Sequence, residues 1–277
     1  MVVRTVETID SGELQTMLAA IRDAYGYDFT QYAEASLKRR SLYFMNSRNI
    51  RTVSELTMIL LGNDAVFEEY VRNLSVTVTE MFRDPAFYAS LRSKVMKRLA
   101  TYPFIKIWVA GCATGEEVYS LAILLKEEEL LSRSLIYATD INQHSLGLAR
   151  DGIFPMSLMK SYTTNYLKAG GQKDFSEYYV AQYDAALFDR SLKSNIVFAP
   201  HNLAVDQSFN EFQLILCRNV LIYFNQELQN KVMNLFYDSL CTFGILALGT
   251  KESLLFTDKQ SKFDVIDKKQ KIFIKMT

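Results

Sequence analysis

Histidine is nearly missing from this chain. Only His144 and His201 occur among 277 residues, which works against mechanisms built on an imidazole base. Cysteine is scarce too. Cys112, Cys217 and Cys241 are odd in number and widely spaced, so they suggest neither a disulfide framework nor a metal site. The expectation is a reducing cytoplasm and no bound metal. Net charge is also absent, with 31 Lys+Arg against 31 Asp+Glu. That argues against generic nucleic-acid coating. No hydrophobic run reaches membrane-spanning length. The longest uncharged stretch, Ser239 to Thr250, is too short, and the opening Met1-Val-Val-Arg-Thr-Val-Glu7 has no signal-peptide core. What is there in quantity is apolar surface: 49% of residues are hydrophobic and 13% aromatic. That supports a sizeable core, in one large domain or two unequal ones.

The chain has two halves with different patterning. Up to about residue 75 only helical periodicity appears. Leu14, Met17, Leu18, Ile21 and Tyr25 share one face. Thr52-Val-Ser-Glu55 reads as a capping box ahead of Leu56, Ile59 and Leu60. Asp64 reads as a cap for a helix carrying Phe67, Tyr70, Val71 and Leu74. After Asp84-Pro85, expected as N-cap and N1, a helix carries Phe87, Leu91, Val95 and Leu99. Strands and helices then alternate. Short apolar runs at Ile105–Ala110, Leu135–Thr139, Ile196–Ala199, Phe212–Cys217 and Ile245–Leu248 read as a parallel sheet covered on both faces. The helices between them carry Val118 to Lys126, Ser145 to Arg150 and Glu227 to Leu240. Lys271-Ile-Phe-Ile-Lys275 could add an edge strand. From about Phe154 to Ser194 the chain turns polar and tyrosine-rich, and reads as a helix plus a small inserted β unit.

Chemistry concentrates where the first strand ends. Gly111-Cys-Ala-Thr-Gly115 is a glycine-bounded turn that lets a ligand approach the main chain. Asp140 ends the second strand, where a carboxylate can accept from both hydroxyls of a ribose; a helix cap near Asn142 is the plainer reading. Thr114-Gly-Glu-Glu117 is a possible capping box. Two carboxylates in that first turn, Glu116 and Glu117, also favour a cationic ligand over a phosphate, hence S-adenosylmethionine over a dinucleotide. Two further strand ends carry His201-Asn202-Leu203 and Arg218-Asn219, so all four polar ends fall on one sheet edge.

These strings together resemble the CheR family of chemotaxis-receptor glutamate methyltransferases. The matching segments are Val78-Thr-Glu-Met-Phe-Arg-Asp84, Gly111-Cys-Ala-Thr-Gly-Glu-Glu-Val-Tyr-Ser120, Ala138-Thr-Asp-Ile141, His201-Asn-Leu203, Leu216-Cys-Arg-Asn-Val-Leu-Ile-Tyr-Phe224 and Gly249-Thr-Lys-Glu-Ser253. They run in family order over nearly the whole chain. The resemblance implies an α/β fold, a Rossmann-like class I methyltransferase domain with a small β-subdomain insertion, preceded by an all-α N-terminal domain. Its boundaries would be 1–75 and 76–277, with the insertion at about 160–195. It also implies S-adenosylmethionine as cofactor and S-adenosylhomocysteine as product. Thr77, Thr79, Arg83, Gly111, Glu117, Asp140, Asn202, Leu203, Arg218 and Asn219 would bind the cofactor. Arg83 and Tyr223 would lie nearest the transferred methyl and act in catalysis. The chain departs from the family pattern at Thr77, where asparagine is usual, at Val118, where proline is usual, and at Lys251 in the late Gly-x-Ser-Glu string.

Methyl transfer to a carboxylate needs no base, since a glutamate with a pKa of about 4.3 is already ionised near neutral pH. The resemblance points to chemoreceptor cytoplasmic helices as partners, with the N-terminal domain docking through Lys38-Arg39-Arg40, Arg48 and Arg51. Tyr178-Tyr179-Val180 could grip a receptor C-terminal tether by β-addition. A monomer is expected, in the cytoplasm, without nucleic acid or membrane insertion. The alternatives are a methyltransferase for another protein carboxylate, a catalytically idle cofactor-binding scaffold and, more remotely, a NAD-linked dehydrogenase.

Overall fold

The computed structural model describes residues 6–75, 79–255 and 257–276. The chain forms two compact units, and the division does not follow the sequence linearly. The first comprises Met1–Val76 together with Asn202–Asp206 and Leu221–Val232. The second comprises Thr77–His201, Gln207–Val220 and Met233–Thr277.

Four helices build the first unit: α1 (Ser11–Tyr25), α2 (Glu34–Ser47), α3 (Val53–Gly62) and α4 (Asp64–Leu74). Three of the four starts carry a side-chain cap, and α2 begins after Ala33 without one. Asp10 accepts from the Gly12 and Glu13 amides ahead of α1, and Thr52 accepts from the Glu55 amide ahead of α3, as side-chain caps do. The Glu55 carboxylate takes the Arg51 amide at 2.8 Å, so the expected box closes one residue early. Asp64 is not the cap of α4. Asn63 is, accepting from the Val66 amide, while Asp64 accepts a hydrogen bond from the Tyr25 hydroxyl at 3.1 Å. Leu14, Met17, Leu18, Ile21, Leu56, Leu60, Phe67, Tyr70, Val71 and Leu74 are buried. Tyr25 stacks on Phe67 with 3.9 Å between ring centres.

In the second unit α5 (Pro85–Ser90) runs into a wide-turned segment, Leu91–Val95, and then α6 (Met96–Leu99). The cause is legible in the spacing. Phe87, Leu91, Val95 and Leu99 recur every four residues, which on a 3.6-residue helix rotates the stripe about 40° per step. The wide turn, closed by the Met96 amide on the Leu91 carbonyl, takes up that drift. All four side chains are buried.

The rest of the unit alternates as expected. β1 (Ile105–Ala110), α7 (Glu116–Glu127), β2 (Ser134–Asp140) and α8 (Gln143–Asp151) come first. The insertion follows: β3 (Ile153–Pro155), α9 (Met156–Lys168), β4 (Tyr179–Gln182), β5 (Ala185–Phe188) and the short α10 (Arg190–Lys193). Then come β6 (Ile196–Pro200), β7 (Phe212–Cys217), α11 (Gln226–Ser239), which belongs to the first unit up to Val232, β8 (Leu240–Leu248), β9 (Phe263–Asp267) and β10 (Ile272–Lys275). The large sheet has the order β6-β2-β1-β7-β8-β10-β9. Its first five strands are parallel and the last two pair antiparallel. β9 had no counterpart in the sequence reading. The insertion forms a separate sheet of order β3-β5-β4, which starts at Ile153, ahead of the expected 160. No helix among the described residues is long and apolar enough to cross a membrane.

The single tryptophan, Trp108 of β1, is fully buried among Phe209, Phe212 and Phe236. Its indole N–H is satisfied by the Thr139 hydroxyl at 2.8 Å, as burial of that group requires. This cross-strand bond ties β1 to β2 just below the turn that matters most.

Candidate functional site

Strand order reverses between β1 and β7, because the chain runs outward through β2 and β6 and then returns beside β1. A crevice at the carboxyl ends of such strands is where open parallel sheets take ligands. Gly111 follows β1 and Arg218 follows β7, so both expected residues stand at the reversal. A Cβ on Gly111 (φ 75°) would lie 2.4 Å from a Val220 methyl. Gly115 (φ 97°) is as constrained, with Ala149 2.9 Å from where its Cβ would be. Only glycine gives both the backbone angle and the approach.

The turn is locked to the neighbouring strand end. The Gly111 and Cys112 amides both donate to the Thr139 carbonyl, at 2.8 and 2.9 Å. The Ala113 amide donates to Asp140 Oδ2 at 2.8 Å, and the Asn142 amide to Oδ1 at 2.9 Å. Asp140 is not the cap of α8; Asn142 is, through the Ser145 amide. Burial raises the Asp140 pKa above the ordinary value, and the backbone donors partly counter that. Each carboxylate oxygen carries one backbone donor and retains acceptor capacity, which suits a pair of ribose hydroxyls.

The two carboxylates at the start of α7 part company. Consecutive helical residues point about 100° apart, so the two carboxylates meet different partners. Glu116 goes inward, accepting from Thr114 Oγ1 at 2.6 Å and from the Tyr162 hydroxyl at 3.4 Å. Thr114 is therefore no helix cap, and the N-cap position is Gly115, which caps through no side chain. The expected anionic pair reduces to Glu117. Its Oε2 lies 3.7 Å from Arg218 Nη1, while its Oε1 is buried with no hydrogen-bond partner among the described residues. Burial raises the Glu117 pKa; the Arg218 and Arg83 guanidiniums pull it down, and Glu252 and Asp84 push it up. A buried acceptor left open is costly, and a cationic ligand group would satisfy it.

Arg218 is the centre of a network that the sequence reading did not resolve. Its Nη2 donates to Asp84 Oδ2 at 2.7 Å, and its guanidinium lies over the Phe87 ring at 3.8 Å. Asp84, expected as a side-chain cap for α5, makes no such bond; it adopts φ 57° and spends its carboxylate on Arg218. Cations over aromatic faces and bidentate charge partners are typical arginine uses. Glu252 is the other residue missed. It is buried and accepts from the Gly249 amide at 2.5 Å and the Val220 amide at 2.8 Å. That clamps the end of β8 to the loop after β7 and explains why glutamate follows the divergent Lys251. Asn219 adopts φ 62°, an angle asparagine tolerates better than most residues. Arg83 and Thr79 lie half-buried in the segment leading into α5. Thr77 lies outside the described residues.

Three expected residues fall in the first unit. The Asn202 amide donates to the Asp206 carboxylate at 2.7 Å, and its own Oδ1 accepts from the Ala204 amide at 3.0 Å. Asn202 thus heads a self-closed turn that buries Leu203. Tyr223 belongs to a single helical turn, Leu221–Tyr223, whose last carbonyl accepts from the Ala33 amide at 2.7 Å. The proposed basic docking face is largely spent within its own unit. Lys38 pairs with Glu34 and Arg48 with Glu69, and Arg40 turns inward to the Asn73 carbonyl at 2.7 Å.

The sequence model of a family described as CheR methyltransferase, SAM binding domain, matches residues 77–272. That described as CheR methyltransferase, all-alpha domain, matches residues 12–75. A Pseudomonas putida protein named "Putative methyltransferase Cher3" is 49% identical over 263 residues, 95% of this chain and 96% of its own. The chemotaxis protein methyltransferase of Listeria innocua is 28% identical, covering 83% of this chain and 86% of its own. That of Escherichia coli is 28% identical, covering 70% and 67%.

Proposed function

The chain belongs to the CheR methyltransferase family, with S-adenosylmethionine as cofactor, and on that footing we propose that it methylates glutamate side chains of chemoreceptor cytoplasmic domains. The product would be a glutamate methyl ester, with S-adenosylhomocysteine left behind. The observation that carries the reading is the open, buried Oε1 of Glu117 beside the glycine turn, on the same sheet edge as Asp140. In this reading Glu117 accepts from an ammonium and Asp140 from ribose hydroxyls. The receptor half of the reading rests on the relatives named chemotaxis protein methyltransferase.

When bound, S-adenosylmethionine supplies a methyl group activated on a sulfonium; the rest falls to the chain. Gly111 gives the close backbone approach, Glu117 and Asp140 hold the two ends, and Arg218 with Asp84 keeps Glu117 in place. By the family resemblance, Asn202 and Leu203 would flank the adenine, Arg218 and Asn219 would line the pocket beyond, and Thr79 and Arg83 would close over the cofactor. Arg83 orients the incoming carboxylate and Tyr223 steers it by a hydrogen bond. No base is required, because the nucleophile is already ionised. Catalysis is then orientation and exclusion of water around opposite charges.

The division into a helical domain to residue 75 and a catalytic domain from 76 accompanies this reading, as do a cytoplasmic location and a monomeric state. A receptor tether could pair with β4, the outer strand of the small sheet, where Val180 is exposed. The experiment is a labelled-methyl assay with receptor cytoplasmic fragments. Base-labile label on glutamate supports the proposal. Cofactor binding with no transfer to any receptor fragment would sink it in favour of the idle scaffold.

A further inference from the structure

The chain just past Val220 is held by residues near the N-terminus. The Ala33 amide donates to the Tyr223 carbonyl at 2.7 Å, and the Asn225 amide donates to the Gln31 carbonyl at 2.9 Å. Between these two bonds Tyr32 and Phe224 form an antiparallel bridge. Their rings meet edge to face at 4.9 Å, and Tyr32 packs the same way on Phe29 at 5.1 Å. The Gln229 side-chain Nε2 adds donations to the Leu221 and Phe224 carbonyls at 3.1 and 2.9 Å. Asn225 caps the helix that follows, through the Leu228 amide at 2.9 Å. Tyr223 therefore stands in a turn fixed on one side by its own chain and on the other by the strand-like piece Gln31–Ala33. From α2, Arg40 adds a charge near the Tyr223 hydroxyl. Burial lowers the Arg40 pKa, and Tyr223 partly offsets that.

We propose that Tyr32 and Ala33 are positioning residues for methyl transfer, acting by holding the Tyr223 turn through the Ala33 amide and the Tyr32–Phe224 pair. The helical N-terminal segment then contributes to catalysis through Tyr223. The inference rests on the reading that Tyr223 steers the incoming carboxylate.

Ala33 offers an unusually direct test. Its φ is −60°, which proline adopts without strain, and Tyr32 is bridged as in a strand, which suits a residue before proline. Ala33→Pro removes the one donor while leaving the Ala33 carbonyl to start α2. Ala33→Ser keeps the donor. The expected result is a fall in kcat of roughly 10-fold for Ala33→Pro, within the range a small misplacement causes. Cofactor affinity by calorimetry stays unchanged, and Ala33→Ser keeps the wild-type rate. Combining Ala33→Pro with Tyr223→Phe gives a rate no lower than Tyr223→Phe alone, as for groups acting through one another. If Ala33→Pro lowers the melting transition sharply, Tyr32→Leu, which loses the Phe224 ring contact and keeps the backbone pairing, takes its place in the same cycle. A slow Tyr223→Phe beside a wild-type rate for the positioning variant, or fully additive losses, overturns the inference alone. A wild-type rate for Tyr223→Phe overturns the role given to Tyr223 and the inference with it.

Discussion

Glu117 is the residue whose surroundings say most about the ligand. A buried carboxylate with one unpartnered oxygen is an expense in the free protein. Its pKa stands above the ordinary glutamate value because burial outweighs the Arg218 charge. Protonation therefore begins at a higher pH than for a solvated glutamate near 4.3, and the acceptor is lost as it proceeds. Cofactor affinity should fall as pH drops through that raised pKa. Glu117→Gln should abolish the pH dependence and weaken binding by roughly 10–100-fold, the worth of a charge-assisted bond. Calorimetric titration across the acid range checks both, and an unchanged affinity in the variant would remove Glu117 from the site. Gly111 makes a steric prediction. Gly111→Ala sets a methyl 2.4 Å from Val220 at φ 75°. The expected cost is about 2 kcal/mol, from strain at the left-handed angle and overpacking. Adding Val220→Ala should recover part of it in denaturant melts.

Among the elements, the inserted segment is tied down by one buried carboxylate. Glu127, at the end of α7, receives Arg92 at 2.5 Å, the Tyr178 hydroxyl at 2.8 Å, the Gln172 amide at 3.0 Å and the Tyr166 hydroxyl. Burial alone would raise its pKa, and these donors bring it below the ordinary value. α9 also reaches the cofactor turn through Tyr162 on Glu116 and the segment before α5 through Asn165 on the Met81 carbonyl. Arg92→Met should cost about 3 kcal/mol, because it strands a buried charge. Tyr178→Phe should cost only about 1 kcal/mol, since three donors remain. Urea midpoints order the two, and the reverse order would contradict the network.

At the scale of the whole molecule, the first unit is not a sequence fragment. Asn202–Asp206 and Leu221–Val232 belong to it and bring the buried side chains of Leu203, Leu221, Phe224, Leu228 and Val232. A peptide of residues 1–75 should keep helical circular dichroism yet melt broadly, for want of that apolar surface. A sharp, cooperative transition would count against this. Acid stability has its own marker in the second unit. Burial alone would raise the pKa of Asp267, but hydrogen bonds from Lys94, Ser90 and the Gln270 amide lower it to about 2. A carboxylate depressed in the folded state stabilises above its unfolded pKa, near 4, and loses that contribution as pH falls towards 2. Asp267→Asn should remove on the order of 1 kcal/mol at neutral pH and flatten the melting temperature between pH 4 and 2.

The parallel strands, the Thr52 cap, the glycine turn and the polar residues at the strand ends were legible in the sequence. Periodicity, cap chemistry and glycine placement are local properties, and local patterns carry them. The family followed from the same strings. What a local pattern cannot carry is which partner a side chain meets across the fold. Asp84 read as a cap and is an ion-pair partner; Glu116 and Glu117 read as a pair and face different ways. Arg40 read as a docking charge and turns inward. Glu252 read only as part of the late Gly-x-Ser-Glu string, with no sign that it clamps two strand ends. Each of these depends on residues tens to hundreds of positions away, brought together only when the sheet closes. The sequence by itself determined the parallel strands and the glycine turn. The tertiary structure decided how the two carboxylates after that turn differ, because long-range pairing engages Glu116 with Tyr162 and leaves Glu117 Oε1 buried with no hydrogen-bond partner among the described residues.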